Sequence, residues 1–353
     1  TGINSGQIGG RRNIIYNGEM KVAQRSTSVA GAGATNNVYL TVDGWVVELG
    51  ATSAGRFTMT QTADGPDGFA NCMKFDCTTA DTSIAAGEAF SIAQRIEGQD
   101  LQQLKKGTSD AESVTVSWYA KGTAKTYGLE IYDTDNDRNI HKLFTVSTSW
   151  QKFTATFAGD TTGALNDDNA TSLFASFWVH AGSTFTGGTL NTAWAANNNA
   201  NRAAGIDSFF SSTDNELFIT GVQMEIGATA SEFEHRTYGE ELDLCERYYQ
   251  KSYDLATVPG TSHTAGLGKV TFGWGYSAGS AANIHNYSTR MRTSPTIVTY
   301  DSAGSTGKAD INSGGWTAAH VLSISVAGEI GFTSYSGDAG TGMNFDFTAT
   351  AEL

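Results

Sequence analysis

Hydrophobic and polar residues alternate along most of this 353-residue chain. Residues 56–62 set the pattern, with Phe57, Met59 and Gln61 on one side and Thr58 and Thr60 on the other. A period of two sends successive side chains to opposite faces, so such a run builds a sheet with one face buried. The runs 70–78, 89–97, 113–121, 127–132, 139–146, 151–158, 172–180 and 216–226 read the same way. Turn signals separate them: Asp64-Gly65-Pro66-Asp67-Gly68, then 133–139 and 182–188. A succession of strands with no long helical period predicts a two-sheet jelly-roll sandwich. Beyond residue 253 further strands are predicted at 269–276, 281–291, 296–300, 319–326, 329–334 and 343–351. The fold class is therefore all-β: an N-terminal jelly-roll sandwich (13–236) after an irregular lead-in (1–12), a short connecting helix (237–252), and a smaller antiparallel C-terminal sandwich (253–353).

Two segments carry helical chemistry. Asp100 and Gln103 form a capping box, and Lys105-Lys106-Gly107 closes the same short turn. The longer helix is predicted over 238–251, where Thr237 and Glu240 form a second capping box and acids crowd the first turn. Leu242, Cys245 and Tyr249 make a modest apolar stripe on it. Copies around an axis could pack those three residues together as a trimer interface; docking of the helix on its own domain is the equal alternative. Residues 189–205 are different again, a long Asn- and Ala-rich insertion holding Trp194 and Arg202.

Charge narrows the partners. The net charge is −14, and 255–353 holds four Lys/Arg against six Asp/Glu, so most of the excess lies upstream. With no basic stripe, nucleic acid is not an expected partner. No apolar run is long enough to insert in a membrane as a helix. The opening Thr1-Gly-Ile-Asn-Ser-Gly is neither a signal peptide nor a natural start, and reads as part of something longer. Cys72 and Cys77, five apart on one predicted strand, point to opposite faces, and Cys245 stands alone; free thiols in a reducing compartment are expected.

Several motifs touch on chemistry. Gly275-Tyr276-Ser277-Ala278-Gly279 fits a nucleophile elbow, with Asp301 or Asp310 and then His320 following in hydrolase order. The elbow needs a parallel strand before the serine and a helix after it, and neither is predicted here, so a glycine-rich turn is expected. Asp133-Thr-Asp135-Asn-Asp137-Arg-Asn139 opens like a calcium loop but has Arg138 and Phe144 where Gly and Glu are required. It reads as a hairpin tip closed by Asx turns. No catalytic residue, metal ligand or cofactor is predicted; a structural calcium is conceivable but not predicted. Aromatic residues beside amides and cations suit sugar binding. The candidates are Trp194, Asn198 and Arg202 in the insertion, and Trp274, Tyr276 and Trp316 in the C-terminal half. Ordinary packing is the competing reading for each.

Taken in order, several segments resemble a widespread group of phage tail-fibre and virion structural proteins. The first is Asn13-Ile-Ile-Tyr-Asn-Gly-Glu-Met-Lys-Val-Ala-Gln-Arg-Ser-Thr-Ser28, followed by Thr41-Val-Asp-Gly-Trp45. The likeness continues through 92–101, 114–121, 150–163, 217–227 and 233–249, about two thirds of the chain. Members often carry Arg where Gly44 stands. The resemblance implies a carbohydrate-binding-module-like jelly roll on a virion, assembled in the host cytoplasm. It also implies a homotrimeric fibre or receptor-binding subunit that meets other virion proteins and a host-surface glycan. A capsid-decorating or head-fibre protein is the alternative, and a glycan depolymerase a more distant one.

Overall fold

The computed structural model describes residues 11–51, 53–268, 270–276, 281–338 and 340–353, with the backbone alone for 271–276 and 281–283. The chain divides into two compact units. The first is 27–238 with the chain before residue 24 and Leu353; the second is 239–352 with residues 24–26. Among the described residues no helix is long and apolar enough to cross a membrane.

The first unit is a sandwich of two antiparallel sheets. One sheet runs in the order β1 (Ser28–Ala32), β4 (Arg56–Thr62), β5 (Cys72–Thr79), β13 (Glu216–Ile226), β7 (Val114–Gly122), β10 (Gln151–Phe157). The other runs β12 (Ala195–Ala196), β9 (Arg138–Val146), β8 (Lys125–Asp133), β11 (Thr171–Ala181), β6 (Ala89–Glu97), β3 (Val46–Leu49), β2 (Val38–Tyr39). Sequence neighbours are often not sheet neighbours, as in a jelly roll. Alternation works as expected: Phe57 and Met59 on β4, Phe90 and Ile92 on β6, and Phe177 and Val179 on β11 all lie in one core. Aromatic rings knit the sheets together, with Phe57 stacked on Phe90 at 4.7 Å and Trp118 edge-on to Phe144 at 5.0 Å.

Residues 13–20 cross this core as an irregular strap, and buried amides replace the sheet hydrogen bonds it lacks. Asn13 Nδ2 donates to the Val222 carbonyl at 3.1 Å, and its Oδ1 accepts from the N–H of Met224 at 2.9 Å. Gln94 holds Tyr16 from both sides, accepting its N–H at 3.0 Å and donating to its carbonyl at 2.8 Å. Asn17 Nδ2 donates to the carbonyls of Val22 and Asp43, each at 2.9 Å. Side-chain amides thus take up the backbone groups that a sheet partner would otherwise pair. Gly44 passes beneath it at φ +82°, and a Cβ there would stand 2.5 Å from the Tyr16 ring. An Arg at this position is excluded by this backbone and this contact.

The second unit has its own core around Met291, Ile311, Phe332, Met343, Phe345 and Phe347. Its long strand β22 (Gly340–Thr350) pairs antiparallel with β14 (Tyr249–Lys251), β15 (Val270–Tyr276), β17 (Thr296–Tyr300) and β18 (Lys308–Asn312), and β18 pairs with β19 (Trp316–Val321). A three-stranded sheet adds β16 (Ala281–Asn286), β21 (Gly331–Ser336) and β20 (Ser323–Ala327) in that order. The predicted strand 319–326 is two strands, broken at Leu322, which join different sheets.

Of the two predicted helices, the first has the short length expected but a different form, and the second is shorter than expected. The capping box at 100–103 is two 3₁₀ turns, Gly98–Asp100 and Gln102–Leu104, whose N-cap residues make no side-chain cap bond. The connecting helix stops at Glu246. The following residues pair with β22, which puts Tyr249 on a strand. Cys245 is 1% exposed and Tyr249 4% within a single chain, so neither has a face left for a trimer contact; only Leu242 is half-buried.

Candidate functional site

The outward face of the seven-stranded sheet carries three rows of side chains set by strand register. One row is Glu48, Ser91, Trp178 and Gly128; a second is Arg95, Phe174 and Tyr132; a third is Ala93, Ser176, Glu130 and His141. Part of this face is roofed by the insertion after β11. There Phe185 and Ile206 pack on a cluster of Trp178, Ala89, Ala181 and Ala203. Between that roof and the turn at Asn36 and Asn37 lies a cleft of about 310 Å³, lined among others by Glu48, Ser91, Arg95, Trp178, Phe185 and Arg202.

The cleft floor is a balanced charge network. Arg202 grips Glu130 with Nε and Nη2, each at 2.8 Å. Trp178 Nε1 donates to Glu130 Oε2 at 2.6 Å, and His141 Nε2 stands 3.1 Å from Oε1. The guanidinium also lies 4.8 Å from the ring centres of Tyr132 and Trp178. Burial alone would push the Glu130 carboxyl up, but the Arg202 charge and the His141 contact outweigh it and bring it down to about 2. Arg95 forms the second pair, with Glu48 at 2.7 Å, while its guanidinium sits 5.1 Å from the Phe174 ring. It also donates to the Asn37 side-chain oxygen and the Leu353 carbonyl. Two cations and two anions leave the floor neutral, with an indole and a phenyl ring beside fixed donors and acceptors.

Of the residues singled out from sequence, Arg202 alone lines this cleft. Trp194 closes a different place, the sandwich edge. Its Nε1 donates to the Ala158 carbonyl at 2.7 Å, and its ring lines a small gap with Leu104, Ile131 and Phe157. Asn198 caps a 3₁₀ turn by accepting from the Ala200 N–H at 3.2 Å. Trp316, half-buried, packs against Gly266. Trp274 and Tyr276 lie in β15, but their side chains are outside the described residues, as is Ser277. Asp301 and Asp310 are taken up by neighbouring N–H groups, that of Ala319 among them, while the His320 ring contacts Asp338 at 2.8 Å and Thr317 at 2.9 Å. The hydrolase order in the sequence therefore does not become a catalytic array among the described residues.

The Asp133 loop is a hairpin tip with the expected Asx turn, Asp133 Oδ1 accepting from Asp135 and Asn136 N–H at 2.9 and 3.1 Å. Its other oxygen meets Lys106 Nζ at 2.5 Å. That buried ammonium also reaches Asp160 at 3.1 Å and the carbonyls of Thr162 and Gly163. Lys106 thus fills an oxygen cage with a side-chain cation, a role that its place in a supposed helix cap concealed. Among the described residues no group of three or more His, Cys, Asp or Glu could hold a metal. Ser208, His180 and Glu88 form a chain of contacts at 2.8 and 3.1 Å. Ser208 Oγ caps the Phe210 N–H and His180 is fully buried, so this chain ties a turn to the sheet. Glu48, Ser91, Arg95 and Trp178 were not singled out, because only strand register brings them together.

No family model and no curated protein matches the sequence. Among solved structures, the enzymatically active domain of bacteriophage CBA120 tailspike protein 4 aligns over 59% of this chain at 13% identity and TM-score 0.30. The alignment spans 22% of that protein's chain. A CBM4 structure aligns over 60% of this chain and 97% of its own, at 14% identity and TM-score 0.30. The tandem CBM22-1–CBM22-2 of Paenibacillus barcinonensis Xyn10C covers 94% of this chain and 91% of its own, at 10% identity and TM-score 0.28.

Proposed function

We propose that this chain is a subunit of a bacteriophage fibre, a homotrimer assembled with other virion proteins, whose jelly-roll unit binds a host-surface glycan in the cleft described above. The cleft itself carries the ligand part of the reading. It has the volume of a small-ligand site, apolar rings on its floor and convergent polar groups from Asn36, Asn37, Ser91, Arg95 and Arg202. Sugars offer apolar C–H faces and rings of hydroxyls, and such a lining serves both. Another opening, of about 340 Å³ between β9 and β10, is lined by Trp118, Phe144 and Phe153 with only Lys142 and two threonines for polar contact. It suits a polyol less well.

The role is binding without catalysis. Glu48 and Glu130 are each gripped by a guanidinium, so neither is a free general acid as glycoside hydrolysis requires. The virion part of the reading rests on the sequence resemblance over residues 13–250. A glycan array tests the ligand: the wild-type chain should bind a defined set of glycans. Glu48→Ala and Phe185→Ala, both at half-buried positions, should weaken that binding about tenfold or more, roughly 1.4 kcal/mol, with the fold intact. Binding unchanged in both variants, or none by the wild type, overturns it. A cryo-EM map of the parent particle tests the location, since density on capsid faces in place of the tail would favour the decorating role.

A further inference from the structure

The second unit exposes aliphatic side chains where an antiparallel sheet should be polar. In the three-stranded sheet the inward residues His285, Phe332 and Ser334 are buried as alternation requires. On the outward side, register places Ile284 (70% exposed), Thr333 and Val326 (65%) in a row across all three strands. Tyr335 lies two residues along β21 from Thr333, and Ile330 (62% exposed) occupies the turn just before that strand. Together these side chains expose roughly 400 Å² of apolar surface, within the size range that marks a binding face. An ion pair between Arg290 and Glu329 at 2.9 Å stands next in sequence to Ile330, and Asn286 and Ser323 add polar positions at the strand ends. An apolar centre with a polar rim is the anatomy of a protein interface.

We propose that this outward face of the three-stranded sheet is where copies of the chain associate, an inference that rests on the assembly part of the reading above. Charge favours a second copy as occupant. The chain carries a net −14, so copies repel over most of their surface, whereas among the described residues the row Ile284, Thr333 and Val326 is uncharged and the nearest charges, Arg290 and Glu329, neutralise each other at the rim. Its area is about half of the roughly 800 Å² that each partner gives to a standard interface. Among the described residues, β20 pairs within this sheet with β21 alone, so the contact could extend along its other edge.

Sedimentation velocity of the full chain from about 1 to about 100 µM reads the assembly directly. Wild type should form a discrete oligomer, and Ile284→Lys and Val326→Lys should weaken it about tenfold or more. Leu267→Lys, equally exposed but outside this sheet, should leave it unchanged. A monomeric wild type at the highest concentration overturns this inference and the assembly reading together. Assembly that persists in both variants overturns the face alone. Should a lysine variant misfold, amide exchange of the wild type decides: concentration-dependent protection of 323–336 supports the face, and its absence there in an assembled sample refutes it.

Discussion

Replacing Lys106 with Met would strip the counter-charge from Asp133, whose side chain is fully buried, while Asp160 would keep only Arg138 at 2.7 Å. Breaking a buried pair from one side costs about 3–5 kcal/mol, so urea unfolding should show the variant weakened on that scale; a loss under about 1 kcal/mol would contradict the cage. Glu130 gives a pH signature. Its folded pKa lies below the ordinary 4.5, so it stabilises the fold fully above that value and the contribution drains away as pH falls toward 2. Arg202→Leu removes the main cause of the depression. The stability gap between wild type and variant should therefore widen from about pH 2 to about pH 4.5, and a constant gap would rule out the assigned network. At this scale the sequence was only partly legible. The Asx turn at Asp133 followed from local spacing, but the pairing of Lys106 with Asp133 and of Arg202 with Glu130 spans tens of residues that no local pattern connects. Gly44 was visible as a departure, and its reason appears only once Tyr16 is seen above it.

Elements were more legible than pairs because alternation is local. β4, β6, β13 and β17 have the predicted bounds. The short strands β1, β2, β3 and β12 escaped notice because two to five residues carry too little period to stand out. The insertion at 189–205 showed no period in the sequence, yet its amides form a ladder. Asn191 Nδ2 donates to Asn139 at 2.7 Å, and Asn201 Nδ2 donates to Asn191 at 3.0 Å. Trp194 anchors the same insertion at the sandwich edge. Trp194→Ala should thus cost about 2–3 kcal/mol, somewhat less than a fully buried indole, while glycan affinity stays within about twofold. Lost binding at unchanged stability would return Trp194 to the role that sequence suggested.

On the scale of the whole molecule, two separate cores predict two cooperative unfolding events. Calorimetry of Phe177→Ala, a fully buried residue of the first core, should lower one transition and leave the other in place. A shift of both together would show that the units unfold as one. The all-β class follows from periodicity, whereas the cleft depends on how an irregular insertion folds back over a sheet. Amide exchange with and without the best glycan from the array probes the lining of that cleft. Ligand should slow exchange at Asn36, Asn37 and 89–95 while leaving 253–352 unchanged; protection confined to the second unit would contradict the assignment.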